Sequence, residues 1–113
     1  MKPLKIPQFV VRIGTRYLCE AVRPGGRELE SAVLLFHTAA AATGFIDKYK
    51  IREESPEAAV VKFSRQEMID MLQEMLDHGN KIAAFHDGTN PPQGVTTNWL
   101  IKMLRRPHNP NRN

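Results

Sequence analysis

Residues 59–87, AVVKF-SRQEMIDMLQEMLDHGN-KIAAFHD, decide the fold. The two flanking segments, residues 59–63 and 81–87, hold short and nearly continuous apolar runs, which are typical of strands covered on both faces. The segment between them has the apolar period of a helix. A strand–helix–strand unit with short connections normally forms a right-handed crossover between parallel strands. This stretch therefore predicts parallel strands beneath helices.

The helix predicted within this stretch carries its own start and stop signals. Ser64 is expected to be the N-cap, and Glu67 completes a capping box three residues later. Gly79 suits the left-handed residue just past the last turn. The apolar residues predict a buried stripe of Met68, Leu72, Met75 and Leu76, with Ile69 beside it. We interpret its methionines as core residues rather than as an adaptable binding groove.

Length and composition are those of one soluble domain. The 113 residues are 42% hydrophobic and 25% charged, which is ordinary for a globular protein. A single cysteine, Cys19, excludes a framework of internal disulfides, and no Cys/His pair has zinc-site spacing. No signal peptide or transmembrane run is apparent. We expect a cytoplasmic protein without metal or cofactor, with one domain over residues 1–106 and a disordered basic tail over residues 107–113.

Positive charge is concentrated at both ends of the chain. Six basic residues and one acidic residue give residues 1–27 a net charge of +5. Six basic and eleven acidic residues give residues 28–87 a net charge of −5, and four basic residues give residues 88–113 a net charge of +4. If the two basic ends meet in space, they form a surface for a polyanion or an acidic protein. If they lie against the acidic middle, the charge is neutralised internally.

The N-terminal segment predicts a β-hairpin over residues 8–22. A two-residue turn, Gly14–Thr15, would suit a glycine-first hairpin turn. It would also place Arg16 and Glu20 on the apolar face of the first strand. A three-residue loop instead pairs Ile13 with Tyr17 and makes that face wholly apolar, so burial favours the longer loop. Cys19 is then a core thiol rather than a nucleophile.

The remaining elements complete a predicted order β-β-β-α-β-α-β-α, an α+β fold in which a small mixed sheet is covered by helices. Residues 32–36 (AVLLF) predict a strand, and Thr38 caps a helix that buries Ala41, Ala42, Phe45, Ile46 and Tyr49. Residues 51–57 and 88–94 are expected to be connections. Thr96 or Thr97 caps a last helix, which is predicted to turn Trp99, Leu100, Met103 and Leu104 inward and Lys102, Arg105 and Arg106 outward. The strand, polar residue and alanine-rich helix of residues 34–46 resemble a pattern of small bacterial and phage proteins, which suggests a mobile-element origin.

Polar residues follow three of the predicted strands. They are His37 and Thr38, Ser64 and Arg65, and His86 and Asp87. Open sheets bind ligands where the carboxyl ends of parallel strands meet, beside helix N-termini. Because histidine titrates near neutral pH, His37, His86 and Asp87 are candidate catalytic or small-molecule-binding residues. The alternative is that polar residues stand here only because loops begin here.

Two binding functions compete with that site. The preferred interpretation is a non-enzymatic binding or adaptor protein, which contacts a protein partner through the hairpin edge or the basic C-terminal helix. The alternative is a nucleic-acid-binding accessory protein. The candidate binding residues are Arg12 and Arg16 in the hairpin and Lys102, Arg105 and Arg106 in the last helix. Few aromatic residues are expected to be free to stack on bases, since Trp99 is predicted to be in the core. No membrane contact is expected.

Overall fold

A mixed β-sheet with helices on both faces forms the protein. The computed structural model describes residues 7–23, 28–86 and 93–106, and in these ranges it contains seven strands and four helices. The strands are β1 (Phe9–Ile13), β2 (Arg16–Tyr17), β3 (Cys19–Val22), β4 (Glu30–Phe36), β5 (Ala59–Lys62), β6 (Ile82–His86) and β7 (Gln93–Thr96). The helices are α1 (Ala39–Lys48), α2 (Ile51–Glu54), α3 (Arg65–Asp77) and α4 (Thr97–Arg105). The predicted α+β class is confirmed. The proposed tail, residues 107–113, lies outside the described residues.

The sheet runs in the order β2-β1-β4-β6-β7, with β3 paired to β4 and β5 paired to β1. Strands β4 and β6 are parallel, while β1 is antiparallel to both β4 and β5. Strands β5 and β6 therefore point the same way, as predicted, but β1 and β4 lie between them. The carboxyl ends of β4, β5 and β6 share one edge of the sheet, because Lys62, Phe9, Phe36 and His86 are successive partners across it.

The N-terminal hairpin has the two-residue turn, and the predicted three-residue loop is wrong. Ile13 pairs with Arg16, and Gly14 has a φ of 63° in the first turn position. Burial could not select the register, because β1 is covered on both faces: Val10 and Val11 are both buried. The second strand also breaks at Leu18. Its first part, β2, pairs with β1, and its second part, β3, pairs with β4.

Two apolar cores lie on opposite faces of the sheet. On one face, α3 and α4 pack over strand residues that include Val10, Val33 and Leu35. On the other face, α1 and the α2 segment pack over strand residues that include Val11 and Leu34. Neighbouring residues of one strand thus enter different cores, which is why the buried strands read as continuous apolar runs.

Helix α3 has the predicted signals. The Ser64 hydroxyl accepts a hydrogen bond from the Glu67 amide at 3.1 Å, and a Glu67 carboxylate oxygen accepts one from the Ser64 amide at 3.0 Å. Gly79, with a φ of 91°, ends the helix in a Schellman motif, in which the Asn80 amide donates to the Met75 carbonyl. The buried residues are Met68, Ile69, Met71 and Leu72, while Met75 and Leu76 are partly buried. The predicted stripe is therefore correct for Met68 and Leu72. The buried face also includes Met71, whereas the predicted Met75 and Leu76 are only partly buried.

Helix α1 begins as predicted and ends differently. The Thr38 hydroxyl accepts from the Ala41 amide at 3.0 Å. Tyr49, predicted to be buried, stands just beyond the helix with 56% of its surface exposed. Lys50 follows in the left-handed conformation with a φ of 51°, and it turns the chain into the short helix α2, in a segment predicted to be a connection.

The last helix is rotated relative to the prediction. Thr96 is its N-cap, and Thr97 is buried: the Thr97 amide donates to the Lys81 carbonyl, and its hydroxyl donates to the Asn80 carbonyl at 3.2 Å. This anchor turns Leu100, Ile101 and Leu104 inward. Trp99, predicted to be in the core, is 43% exposed, and Met103 is partly buried.

Within the described residues, each helix is too short or too polar to cross a lipid bilayer.

Candidate functional site

The outward side of α4 carries one aromatic and three basic residues. With the buried stripe of Thr97, Leu100, Ile101 and Leu104 turned to the sheet, residues three and four apart on the opposite side are neighbours. That side presents Trp99, Lys102 and Arg106, and Arg105 flanks them; all four are exposed. We call these four residues the α4 face. Because the apolar stripe fixes the rotation of the helix, the three basic residues point to solvent, as predicted.

Trp99 gives the α4 face an apolar end, one helical turn before Lys102. Its exposed fraction of 43% is large for an indole, and it is the only tryptophan of the chain. An exposed indole beside cations can stack on a flat ring, pair with another cation, or be covered by a partner's side chains. Sequence reasoning missed this residue because a helix pattern alone did not distinguish a Trp99/Met103 stripe from a Thr97/Ile101 stripe.

The neighbouring helix has the opposite charge. Helix α3 packs beside α4, and its exposed acidic residues recur at helical spacing: Glu67, Asp70, Glu74 and Asp77. Two of these carboxylates accept side-chain hydrogen bonds, Asp70 from Gln66 and Asp77 from Gln73. A partner that covers both helices therefore meets a positive strip beside a negative strip.

Arg12 and Arg16 lie apart from the α4 face. The Arg12 guanidinium stands over the rings of Tyr17 and Phe63, 5.7 Å from each centroid, so these rings hold it against the sheet. Arg16 is exposed at the tip of the hairpin. Strands β4 and β6 separate β1 from β7, which leads into α4. Within the described residues, the two basic groups thus form separate surfaces.

His37 and His86 are close in the backbone and distant in their side chains. The His37 amide donates to the His86 carbonyl at 3.4 Å. The His86 ring lies against Phe36 and Phe45, with centroid distances of 5.4 and 5.1 Å, in the core beneath α1. The His37 ring contacts Phe85 at 6.0 Å, on the other face of the sheet. The two imidazoles therefore do not converge on one substrate position.

Within the described residues, the remaining acidic and imidazole groups do not extend the predicted site at the sheet edge. Asp87 lies outside the described residues. The His37 Nδ1 atom is buried and makes no hydrogen bond with any described residue. In the same ranges, no group of three His, Cys, Asp or Glu side chains is placed to hold a metal ion. His78, at the end of α3, donates from its ring Nδ1 to the Glu74 carbonyl at 2.8 Å.

Cys19 is a poor nucleophile. Burial raises the pKa of its thiol above the ordinary value, and a hydrogen bond with Ser31 lowers it by less. The thiol also donates to the Tyr17 carbonyl at 3.5 Å. Since the thiolate is the reactive form, the prediction of an unreactive core cysteine agrees with its surroundings.

A cavity on the α1 face of the sheet was not predicted from the sequence. It has a volume of about 550 Å³ and lies between the β1–β3 strands and the corner where α1 meets α2. Glu20 projects on this side, between Leu18 and Val22, which pack against the same core. The sequence feature that could have indicated this cavity is Glu20, an acidic residue at a strand position where an apolar residue would be expected.

Comparisons of the chain with protein-family models, with curated proteins and with solved structures found no match.

Proposed function

We propose that this protein is a small binding protein that engages an acidic protein partner through the α4 face. The observation that carries the proposal is the exposure of Trp99 on the outward side of α4, one helical turn before Lys102 and on the same side as Arg106. Tryptophan and arginine are enriched among the residues that dominate protein–protein binding energies.

The energetic reason lies in the combination of an indole with basic side chains. Covering an exposed indole removes apolar surface from water, which contributes about 25 cal/mol per Å². Lys102, Arg105 and Arg106 supply long-range attraction to an acidic surface, which accelerates association and fixes orientation more than it adds affinity. The acidic side of α3 then repels partners whose negative charge extends beyond α4, so the pair of helices favours a partner of limited acidic area.

One observation also favours nucleic acid as a second candidate. An exposed aromatic ring with cations nearby is an arrangement on which unpaired bases stack, and such stacking contributes about 1–3 kcal/mol per base. The acidic stripe of α3 argues against it, because a phosphate backbone carries negative charge along its whole length. We therefore rank the acidic protein first.

The test uses the single tryptophan as the reporter. Binding of a labelled Glu-rich peptide and of a labelled single-stranded oligothymidylate of equal charge is compared at low and high salt. Trp99 emission is followed in the same titrations. The proposal expects the peptide to bind more tightly, with an affinity that falls as salt rises.

Charge-reversal variants locate the surface. Replacing Lys102, Arg105 and Arg106 by Glu should weaken peptide binding by about tenfold or more at low salt, since attraction becomes repulsion. A matched control replaces the exposed Lys48, Lys62 and Arg65 by Glu, which changes the net charge equally at other sites. Equal losses in both triple variants would show that net charge alone governs binding.

A second pair of variants tests the indole. Trp99→Ala should weaken peptide binding by about tenfold, the effect of losing a central aromatic contact. Tyr49→Ala removes an aromatic side chain of similar exposure on the opposite face of the sheet, and it should leave binding unchanged. Tighter binding of the oligothymidylate, with quenching of Trp99, would favour the nucleic-acid function instead. Failure of both probes to bind would refute the α4 face as a binding surface.

A further inference from the structure

Glu20, which lines the cavity on the α1 face, has one carboxylate oxygen that no described residue satisfies. The Glu20 Oε2 atom is buried and accepts no hydrogen bond from any described residue. A buried polar atom that lacks a hydrogen bond costs free energy, so such atoms are uncommon in folded proteins and require an explanation. Because Glu20 also lines the cavity, a donor that enters the cavity can satisfy this carboxylate after a small rotation of the side chain.

The volume of the cavity, which opens to solvent, suits a small ligand. A volume of about 550 Å³ lies within the usual range for small-molecule sites, roughly 300–1,000 Å³. Apolar side chains from both sides of the cavity line it, namely Ile13 and Leu18 from the strands and Ile51 from α2. An aliphatic chain could lie along these three residues while its polar end reaches Glu20.

The electrostatic character of the lining favours a cation. Glu53 and Glu54 of α2 add two carboxylates to Glu20, whereas Lys50 is the one basic residue among the described lining residues. The rings of Phe45 and Tyr49 also line the cavity, with their centroids 4.6 Å apart. Aromatic faces attract organic cations through the negative potential above the ring.

We propose that this cavity binds an alkylammonium ion, whose ammonium group donates to Glu20 while its aliphatic chain lies against Ile13, Leu18 and Ile51. The site is on the opposite face of the sheet from α4, so it does not depend on the function proposed above. The ligand could be a free aliphatic amine or the side chain of a partner's lysine, which present the same ammonium group and methylene chain.

The first test compares three probes of matched shape. Titration of the full chain with pentylammonium, 1-pentanol and pentanoate, followed by amide chemical shifts, should show binding of the ammonium ion only or most tightly. Shifts should concentrate at Leu18, Glu20, Tyr49 and Ile51. We expect 1-pentanol to bind about tenfold to hundredfold more weakly, the factor for losing a hydrogen bond between charged groups.

Variants then test the role of Glu20. Glu20→Gln keeps the shape of the side chain and should weaken pentylammonium binding by about tenfold or more. Glu74→Gln, an exposed change on α3, is the control and should leave binding unchanged. The chemical-shift map of the unaltered chain provides a readout that does not depend on how a variant folds. Equal binding of pentylammonium and 1-pentanol, or unchanged binding by Glu20→Gln, would refute the proposal.

A last probe identifies the source of the ammonium group. Nα-acetyl-lysine amide carries an unmodified lysine side chain, with its ammonium group, on a peptide unit. Tighter binding of this probe than of pentylammonium supports a partner's lysine, and tighter binding of pentylammonium supports a free amine. Absence of shifts with both amines at millimolar concentration would overturn the proposal.

Discussion

Three leucines of different burial offer a test of the core at fixed chemistry. Leu72 on α3 is completely buried, Leu76 one turn later is partly buried, and Leu29, just before β4, is 58% exposed. Each Leu→Ala change removes the same three carbon atoms. Any difference in the free energy of unfolding among the three variants therefore reports how much each site contributes to packing.

The expected magnitudes follow from burial. Losing three buried carbons at about 0.8 kcal/mol each removes about 2.4 kcal/mol of transfer free energy at Leu72. The cavity left between α3 and the sheet adds to this, which gives a total of about 2.5–5 kcal/mol for Leu72→Ala. Leu29→Ala should cost less than about 1 kcal/mol, because much of its side chain is already in water. Leu76→Ala should fall between the two.

Urea unfolding followed by circular dichroism measures the three losses. The three variants should have the same slope of unfolding free energy against urea concentration, so that the shift in the unfolding midpoint reports stability alone. A loss below about 1 kcal/mol for Leu72→Ala, or equal losses for Leu72→Ala and Leu29→Ala, would refute the packing of α3 described above.

Four further predictions concern local features. Ser64→Ala removes the hydroxyl of the capping box and should lower the free energy of unfolding by about 0.5–2 kcal/mol in the same urea assay. Gly44→Ala places a better helix former in α1, where added atoms meet open space, and should raise stability by up to about 1 kcal/mol. Gly79→Ala should lower it instead, because the φ of 91° strains an alanine. Burial raises the pKa of Cys19, so its alkylation by iodoacetamide at pH 8 should be slower in the folded chain than in urea, and equal rates would contradict its burial.

The elements that sequence predicted well are those with local signals. Ser64, Glu67 and Gly79 belong to the two ends of one helix, and their roles follow from local backbone geometry that needs no tertiary partner. The α1 cap at Thr38 is of the same kind. Strands β4 and β6 were also predicted, because runs covered on both faces are apolar throughout. Strand β5 was predicted from the same kind of run, but among the described strands it pairs only with β1, and its residues are partly buried or exposed.

The elements that sequence predicted wrongly depend on distant partners. The hairpin register was chosen by assuming that β1 buries one face, but β4 and β5 place it in the interior of the sheet, where Val10 and Val11 enter different cores. The rotation of α4 is set by hydrogen bonds from Thr97 to the carbonyls of Asn80 and Lys81. These two residues lie in the connection between α3 and β6. No local pattern around Trp99 contains that information.

The candidate site was predictable in its charges and not in its geometry. Lys102, Arg105 and Arg106 lie on one predicted helix that also carries an apolar stripe, so their exposure could be predicted from the sequence. The separation of His37 from His86 could not, since it depends on the parallel register in which Phe36 stands beside His86. One residue beyond that pair, His37 necessarily turns to the other face.

The interior position of β1 has a consequence for the order in which the chain can fold during synthesis. Phe9–Ile13 precedes the other described strands along the chain, yet two of its neighbours, Glu30–Phe36 and Ala59–Lys62, follow much later. Until residue 62 has left the ribosome, one side of this strand lacks its hydrogen-bonding partner, and each of its faces carries a valine, Val10 or Val11, that is buried in the folded protein. Such a strand pairs readily with other nascent chains. Productive folding therefore waits for the second half of the polypeptide, and fragments that end before β5 expose an aggregation-prone edge.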